Sequence, residues 1–460
     1  MNDVPARYPL THALADASLA RARSPLPPEI AEIARHALLD WLGTLCAGWS
    51  DPAVAMLEAE VLDEAAASRA TLLGSGRRTS VRNAALVNGT ASHVLDFDDV
   101  HLRSRVHPSV PLWPAIVALA ERERFGGARA LAAFVAGVEM QSRLALVMGD
   151  EHYRRGWHNT ATFGMFGATL AGVALFGFDV LQTQHALGIC ATQAAGLRAA
   201  FGTMCKPLHA GHAAALGIQS ASLARRGFTS RTDVLECDGG FVELYASRRD
   251  RDAIAAALAD APDYQARTIL FKYNASCYGT QAPIEASRQL RERVAERLDE
   301  IESIEVLLEP QYLSVCCIPE PTTGREAKFS VAQMVALALA GWSTVDARAC
   351  SAAALDDPQI RRLRGLVKIA AHPQQPRASA DVAITLRDGS RFDSHFDMSR
   401  PETDLARQRE KVAAKARVLL GTRLDASCVE RIVQAVLRFD TVEDVSGFVA
   451  SFAAALAAPV

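Results

Sequence analysis

The sequence predicts a mainly α protein with a large all-helical domain and a smaller α+β domain. Three observations carry that prediction. Apolar residues recur at helical spacing through most of residues 30–226 and again from Thr403 onward, the mark of helices with one buried face. Alternation of apolar and polar residues is confined to Ile301–Leu308, Leu366–Ala370 and Val382–Phe392, so the strands belong to one later segment. A chain of 460 residues exceeds what one core organises, which makes two domains the expectation. The helical domain is placed at 1–267, completed by 401–460, and the α+β domain at 268–400.

Taken in order, residues 1–28 read as a short leader ending at Pro27-Pro28. A helix follows on which Ile30, Ile33, Ala37, Trp41 and Leu45 form the apolar face; prolines are tolerated in its first turn. A second helix covers about 52–67, and Ala70–Leu73 leads into a GSGRR loop. That loop reads as a turn, because a lone glycine pair is a weak phosphate signal. Ser80–Leu95 is helical through Ala84, Leu86, Val87, Ala91 and Val94. Further helices are expected from Pro114 to Arg124, Ala128 to Met148 and Phe163 to Phe176. On the last of these, Gly164, Gly167, Ala168, Ala171 and Gly172 are spaced to let a neighbouring helix come close. Two more follow at 180–200 and 209–226. Beyond Gly239-Gly240 and a variable segment near 250–265, the α+β part holds helices at 281–299 and 330–341 and a hairpin turning at Asp388-Gly389. Helices at 403–420, 426–438 and 442–457 close the chain.

Half of the residues are apolar but only 6% are aromatic and 22% charged, which with abundant alanine fits closely packed helices. A formal charge of -3 supplies neither the basic field that nucleic acid requires nor a polybasic membrane anchor. No charged start leads into a long apolar run, and no apolar segment reaches a bilayer's span uninterrupted. A soluble, cytoplasmic protein without membrane or nucleic-acid partners is expected. The nine cysteines are odd in number, scattered and free of CxxC pairs, so they read as reduced thiols and exclude an iron–sulfur hydratase.

Asn88 to Pro114 is the densest polar stretch, with Asp96, Asp98, Asp99, His93, His101 and His107 between apolar helical segments. Such groups are costly there unless solvated or put to use. Three loops collect ionisable residues, Asp96–His107, Arg154–Thr160 and Lys206–His212, and packed helices can bring such loops to one rim. Singly, each has a plain reading. Asp98 reads as a solvated or capping aspartate, His101 and His152 as surface histidines, Cys205 as a small buried thiol, and His209 and His212 as packing or hydrogen-bonding residues. Asp96 and Asp99, three apart on a helix face, invite a magnesium–diphosphate reading of the terpenoid-cyclase kind. The missing second metal motif and the few aromatic residues weigh against it.

In order and spacing, NGTASHVLDFDDVH, HPS, GWHNTATFGMFGA, FGTMCKPLHAGHAA, KYNASCYGTQAPIEA and EAKFS resemble the MmgE/PrpD family, over about residues 30–400. That family includes 2-methylcitrate dehydratase, cis-aconitate decarboxylase and iminodisuccinate epimerase. The resemblance implies a helical domain with a smaller lid domain, a homodimer, and a pocket between the domains that uses no cofactor and no metal. It also implies a small di- or tricarboxylic acid as substrate and chemistry at bonds next to a carboxylate. Carried over by position, the catalytic residues are His107, His158, Lys206 and Asp96; Gln281, Tyr278, His101 and Lys272 are expected beside them as substrate-binding residues.

Those residue types suit the task. Removing a proton α to a carboxylate needs a base near neutral pKa and a cation that holds the developing enediolate charge. Histidine supplies the base, Lys206 supplies the cation or a desolvated base, and Asp96 would orient a histidine. Two departures restrict the member. Val100 stands where the decarboxylase has threonine, and Gln281 where many relatives have histidine; glutamine binds a carboxylate but exchanges no proton. The expected enzyme is a 2-methylcitrate dehydratase-like hydro-lyase. An iminodisuccinate epimerase-like isomerase, a cis-aconitate decarboxylase-like lyase and a non-catalytic carboxylate-binding scaffold remain as alternatives.

Overall fold

Residues read as a leader fold instead as a helix. α1, Leu10–Arg23, buries Leu10, Leu14, Ala15 and Leu19, and it packs on α6, Gly127–Arg154. The computed structural model describes residues 9–246, 254–255, 258–259, 263–345, 350–376 and 378–457. Much of the segment near 250–265 therefore lies outside the described residues. The protein is mainly α, with small sheets. It divides into two units, Met1–Val94 with Asp98–Phe271 and Thr403–Val460, and Leu95–Phe97 with Lys272–Glu402. Residues 268–271 belong to the first unit, where Ile269 and Leu270 pair with His101 and Val100.

The first unit is built of helices. α2, Pro28–Gly48, starts on the proline whose missing N–H needs no partner there, and α3, Pro52–Asp63, is capped by the Asp51 carboxylate. α4, Val81–His93, is capped by Ser80. α5 runs from Ser109 to Glu123, five residues earlier than its expected start at Pro114. Pro111 lies in its first turn, where no N–H partner is lost, while Pro114 is carried inside the helix. α7, Asn159–Phe176, buries residues on every face and packs against α5, α6 and α9, Cys205–Arg225. α8, Val180–Ala191, stops short of the expected 200.

Among the described helices, α6 and α7 are long and apolar enough to cross a membrane by length and composition. Of their apolar windows, 83% and 89% is buried inside the protein, which is what core helices show as well. Glu139 and Arg143, the charges that interrupt α6, pair with each other at 2.8 Å.

In the second unit four strands lie in the order β6, β5, β7, β8; here β1 to β4 denote the two-residue pairs Ala70–Thr71 with Arg78–Thr79 and Val100–His101 with Ile269–Leu270. β5, Ile301–Leu308, pairs parallel with β6, Val367–Ala371, and antiparallel with β7, Ser379–Leu386. β8, Arg391–Asp397, completes the hairpin, whose turn places Gly389 at φ 84°, a conformation glycine adopts without steric cost. Helix Tyr278–Val294 packs on β7, on β8 and on helix Val331–Ala340.

Candidate active site

Four segments of the first unit deliver its ionisable side chains. His93 is the last residue of α4, His107 precedes the first turn of α5, His158 is the N-cap of α7, and Lys206 and His209 lie in the first turns of α9. Backbone and side-chain bonds hold them in place. The Asn159 amide donates to Ser104 O at 2.8 Å, and the His107 N–H donates to Thr160 Oγ1 at 3.1 Å, so the first turn of α7 grips the His107 loop. The His158 N–H donates to Gly196 O at 2.9 Å, and the Arg198 N–H to Gly156 O at 2.8 Å, which ties the segment before α9 to the segment before α7. The Phe201 ring lies 4.9 Å from the His158 ring and 5.4 Å from Lys206 Nζ.

Asp98 is not solvated. It is completely buried, with Oδ1 2.9 Å from His93 Nδ1 and Oδ2 2.8 Å from His107 Nδ1. Burial alone would raise its pKa, but the attraction of His93 and His107 and their hydrogen bonds win and hold it well below the usual carboxylate range. Asp99 turns the other way, accepting the Ser109 N–H at 3.0 Å and its Oγ–H at 2.7 Å, and so caps α5. Burial, then the charge of Asp40, pushes it up to about 8. Asp96 and Asp99 do not share a helix face, because α4 has already ended at His93 and Asp96 sits at φ 51°, a left-handed conformation that aspartate tolerates.

The structure brings His107, His158 and Lys206 into one cluster. The His93 ring is 4.7 Å from that of His107 and 6.3 Å from that of His158, and His158 Nδ1 is 3.1 Å from His209 Nδ1. Burial and then the positive charges of Lys206, His93, His209 and His107 hold His158 well below the ordinary histidine range, so near pH 7 it is a neutral base. His209 is lowered for the same kinds of reason. His93, Asp98 and His209 are the members that sequence reasoning missed. The five-residue spacing of His93 and Asp98 across a helix end was the available signal.

Other expectations are corrected. His101 is buried, with Nδ1 bonded to Ser104 Oγ at 2.7 Å and Nε2 to Thr268 Oγ1 at 2.6 Å. Both nitrogens are engaged inside the protein, so it is a buried brace of its loop and not the surface histidine expected. His152 is also buried, between Thr162 Oγ1 and Tyr245 O, and Cys205 is exposed. In the second unit Lys272 Nζ lies 2.5 Å from Asp96 O and 3.3 Å from its Oδ1. Gln281 accepts from the Asn274 N–H and donates to Asn274 O and Ser276 O at 3.2, 3.0 and 3.1 Å. Its amide thus buckles the turn before helix Tyr278–Val294, and both its ends are used internally. Tyr278 donates to Met398 O at 2.7 Å.

His93, Asp98 and His107 have donor atoms within 4.8 Å of one another, a spacing that a metal could use. Here Asp98 Oδ1 is hydrogen-bonded to His93 Nδ1 and Oδ2 stands at ion-pair distance, 2.8 Å, from His107 Nδ1, so the set reads as a carboxylate held between two imidazoles. The cluster as a whole offers a neutral imidazole, an imidazole backed by a carboxylate, and an ammonium group. Together these can move a proton and hold anionic charge.

A family model described as the MmgE/PrpD N-terminal domain matches residues 12–253, and one described as the MmgE/PrpD C-terminal domain matches residues 274–441. A cis-aconitate decarboxylase-like protein of Aspergillus oryzae is 27% identical over 93% of this chain and 94% of its own length. The cis-aconitate decarboxylase of Homo sapiens is 29% identical over 79% of this chain and 77% of its own, and that of Aspergillus terreus is 26% identical over 92% of each.

Proposed function

The chain belongs to the MmgE/PrpD family, and on that premise we propose that it is a lyase transferring protons next to a carboxylate of a small di- or tricarboxylic acid. One observation carries the reading. His107, His158 and Lys206 stand at the N-terminal ends of α5, α7 and α9, where the helix dipole disfavours a cation and favours an anion. The Lys206 ammonium and the imidazoles beside it are stabilised in that place by a substrate that brings negative charge.

In this reading Lys206 holds a substrate carboxylate and the enediolate charge that develops beside it. His158, neutral near pH 7, accepts a proton, and His107, backed by Asp98, delivers one. In decarboxylation the C–CO2 bond breaks, its electron pair passes into the enediolate, and an imidazolium returns a proton to carbon. In dehydration the α-proton goes to imidazole, a C=C bond forms and hydroxide leaves with the proton from His107. These residues supply both proton transfer and charge stabilisation, so the proposal needs no cofactor. Relatives named cis-aconitate decarboxylases favour the first course. Val100, at the position of the decarboxylase threonine in the resemblance, favours the second, the hydro-lyase expected from sequence.

The test is incubation with cis-aconitate, citrate and 2-methylcitrate in D2O, followed by NMR and by CO2 release. Turnover with deuterium at the carbon next to a carboxylate is expected, and it should be abolished in Lys206→Ala and in His158→Ala at nearly unchanged thermal stability. No exchange with any acid would favour a non-catalytic scaffold, and full activity in both variants would remove them from the mechanism.

A further inference from the structure

The loops that carry His107, His158 and Lys206 also gather arginines that their own carboxylates do not balance. Tyr153, in the last turn of α6, has two guanidiniums over its ring, Arg105 Cζ at 4.6 Å and Arg198 Cζ at 3.9 Å from the centroid. Both lie within the range in which an aromatic face attracts a cation. Asp150 is 3.2 Å from Arg105 and 3.7 Å from Arg154, and Glu151 is 3.0 Å from Arg155. Arg198 has no carboxylate partner among the described residues. Its Nη1 donates to Tyr153 O at 2.9 Å, and its buried Nε has no acceptor among them.

A buried guanidinium N–H without an acceptor is costly, and two like charges held against one ring repel each other. A carboxylate arriving there relieves both, because its two oxygens match the donor fork of an arginine. The place is continuous with the cluster already described. Arg105 stands two residues before His107, in the loop that α7 grips. The Arg198 N–H is bonded to Gly156 O, and the Phe201 N–H donates to Arg198 O at 2.9 Å, so this segment leads into the ring that meets His158 and Lys206.

We propose that Arg105 and Arg198, held against Tyr153, form an outer docking site for a small polycarboxylate anion, which is captured there before it reaches Lys206. Uncompensated positive charge beside a site raises the local concentration of an anion and makes its capture sensitive to salt. The inference rests on the proposed function for the class of acid, and it adds a second point of contact for it.

The experiment is calorimetric titration with tricarballylate, a tricarboxylate with no hydroxyl group to eliminate, at about 20 and about 150 mM NaCl. Arg198→Met should weaken binding by about tenfold or more at the lower salt, the scale of losing a hydrogen bond to a charged group, and by less at the higher. Arg105→Met should weaken it too, and Arg198→Lys, which keeps the charge but not the fork, should fall between Arg198→Met and the wild type. Arg438→Met, which removes an exposed arginine at the end of helix Ala426–Leu437, should stay within about twofold. Binding weakened no more in Arg198→Met than in Arg438→Met would overturn the docking site; loss of binding in Lys206→Ala alone would then leave the proposed function standing without it. No binding of tricarballylate by the wild type would overturn it as well, and the exchange test in D2O then decides the proposed function by itself. Thermal melting checks that each variant is folded, and should Arg198→Met fail, Arg198→Lys and Arg105→Met decide in its place.

Discussion

His158 and His209 face each other nitrogen to nitrogen, Nδ1 to Nδ1, at 3.1 Å. One ring must donate and the other accept, so each fixes the tautomer of the other. His209→Leu removes that control while keeping an apolar side chain of similar bulk. Turnover of whichever acid the protein converts should fall by about 10–100-fold, the usual scale for losing the partner that orients a working imidazole. His209→Asn, which restores a hydrogen-bonding group, should recover part of it. Steady-state kinetics would decide, and an unchanged kcat in His209→Leu would show that the contact is only packing.

Buried neutral histidines make stability depend on pH. His101 and His152 are both lowered to about 4, by burial first, and His158 is held well below the ordinary histidine range, also by burial first. In the unfolded chain each takes up a proton near 6.5. Below that pH the unfolded state binds protons that the folded state refuses, so stability is fully present above about 6.5 and falls as the pH drops toward 4. Each histidine costs about 1.4 kcal/mol per pH unit within that interval. Urea midpoints should therefore decline between pH 6.5 and 5, above the range in which most carboxylates titrate. A flat profile there would contradict the burial of these rings.

Much of this arrangement was legible in the sequence, for identifiable reasons. The apolar face from Ile30 to Leu45 and the Asp388-Gly389 turn are local patterns, and both elements formed where local physics puts them. His107, His158 and Lys206 could be nominated because the motifs around them resemble those of the MmgE/PrpD family. Asp98 could not, because its environment is set by two partners, one before it in α4 and one after it in the loop. Likewise Leu10, Leu14 and Leu19 gave α1 a helical face, but its short, capless pattern resembled a leader until α6 supplied the surface it covers. Gln281 was nominated as a binding residue, and only the fold shows its amide consumed by Asn274 and Ser276.

Lys415 and Asp40 form an ion pair at 2.6 Å with side chains 2% and 0% exposed. Lys415→Met would leave the Asp40 carboxylate buried without its counter-charge, at a cost of about 3–5 kcal/mol. The double variant Lys415→Met with Asp40→Leu removes both charges and should recover most of that loss, because desolvation of the pair offsets much of its attraction. Guanidinium denaturation of the single and double variants measures both. Equal destabilisation in the two would mean that packing, not charge, is what Lys415 contributes.

The contact between α4 and α9 sets where His93 meets His209, and it is made by backbone. A Cβ on Gly211 would lie 2.2 Å from Leu86 O and 2.4 Å from Thr90 Oγ1, and a Cβ on Gly89 would lie 2.9 Å from Gly211 Cα. Alanine at 211 gains about 1 kcal/mol of helix propensity, but a backbone oxygen at that distance can yield only by moving one helix. Gly211→Ala should therefore be destabilising by about 1–3 kcal/mol, as overpacked cores are. It should also reduce turnover more than its loss of stability explains, because α9 carries Lys206 and His209 on the turns before it. Gly447 is the control: it lies inside helix Val445–Ala457 with nothing within 4 Å of its added Cβ, so Gly447→Ala should raise the melting temperature and leave activity alone. Were Gly211→Ala as stable and active as Gly447→Ala, the two helices would not be locked at that crossing, and the imidazole geometry would have to be held by the loops alone.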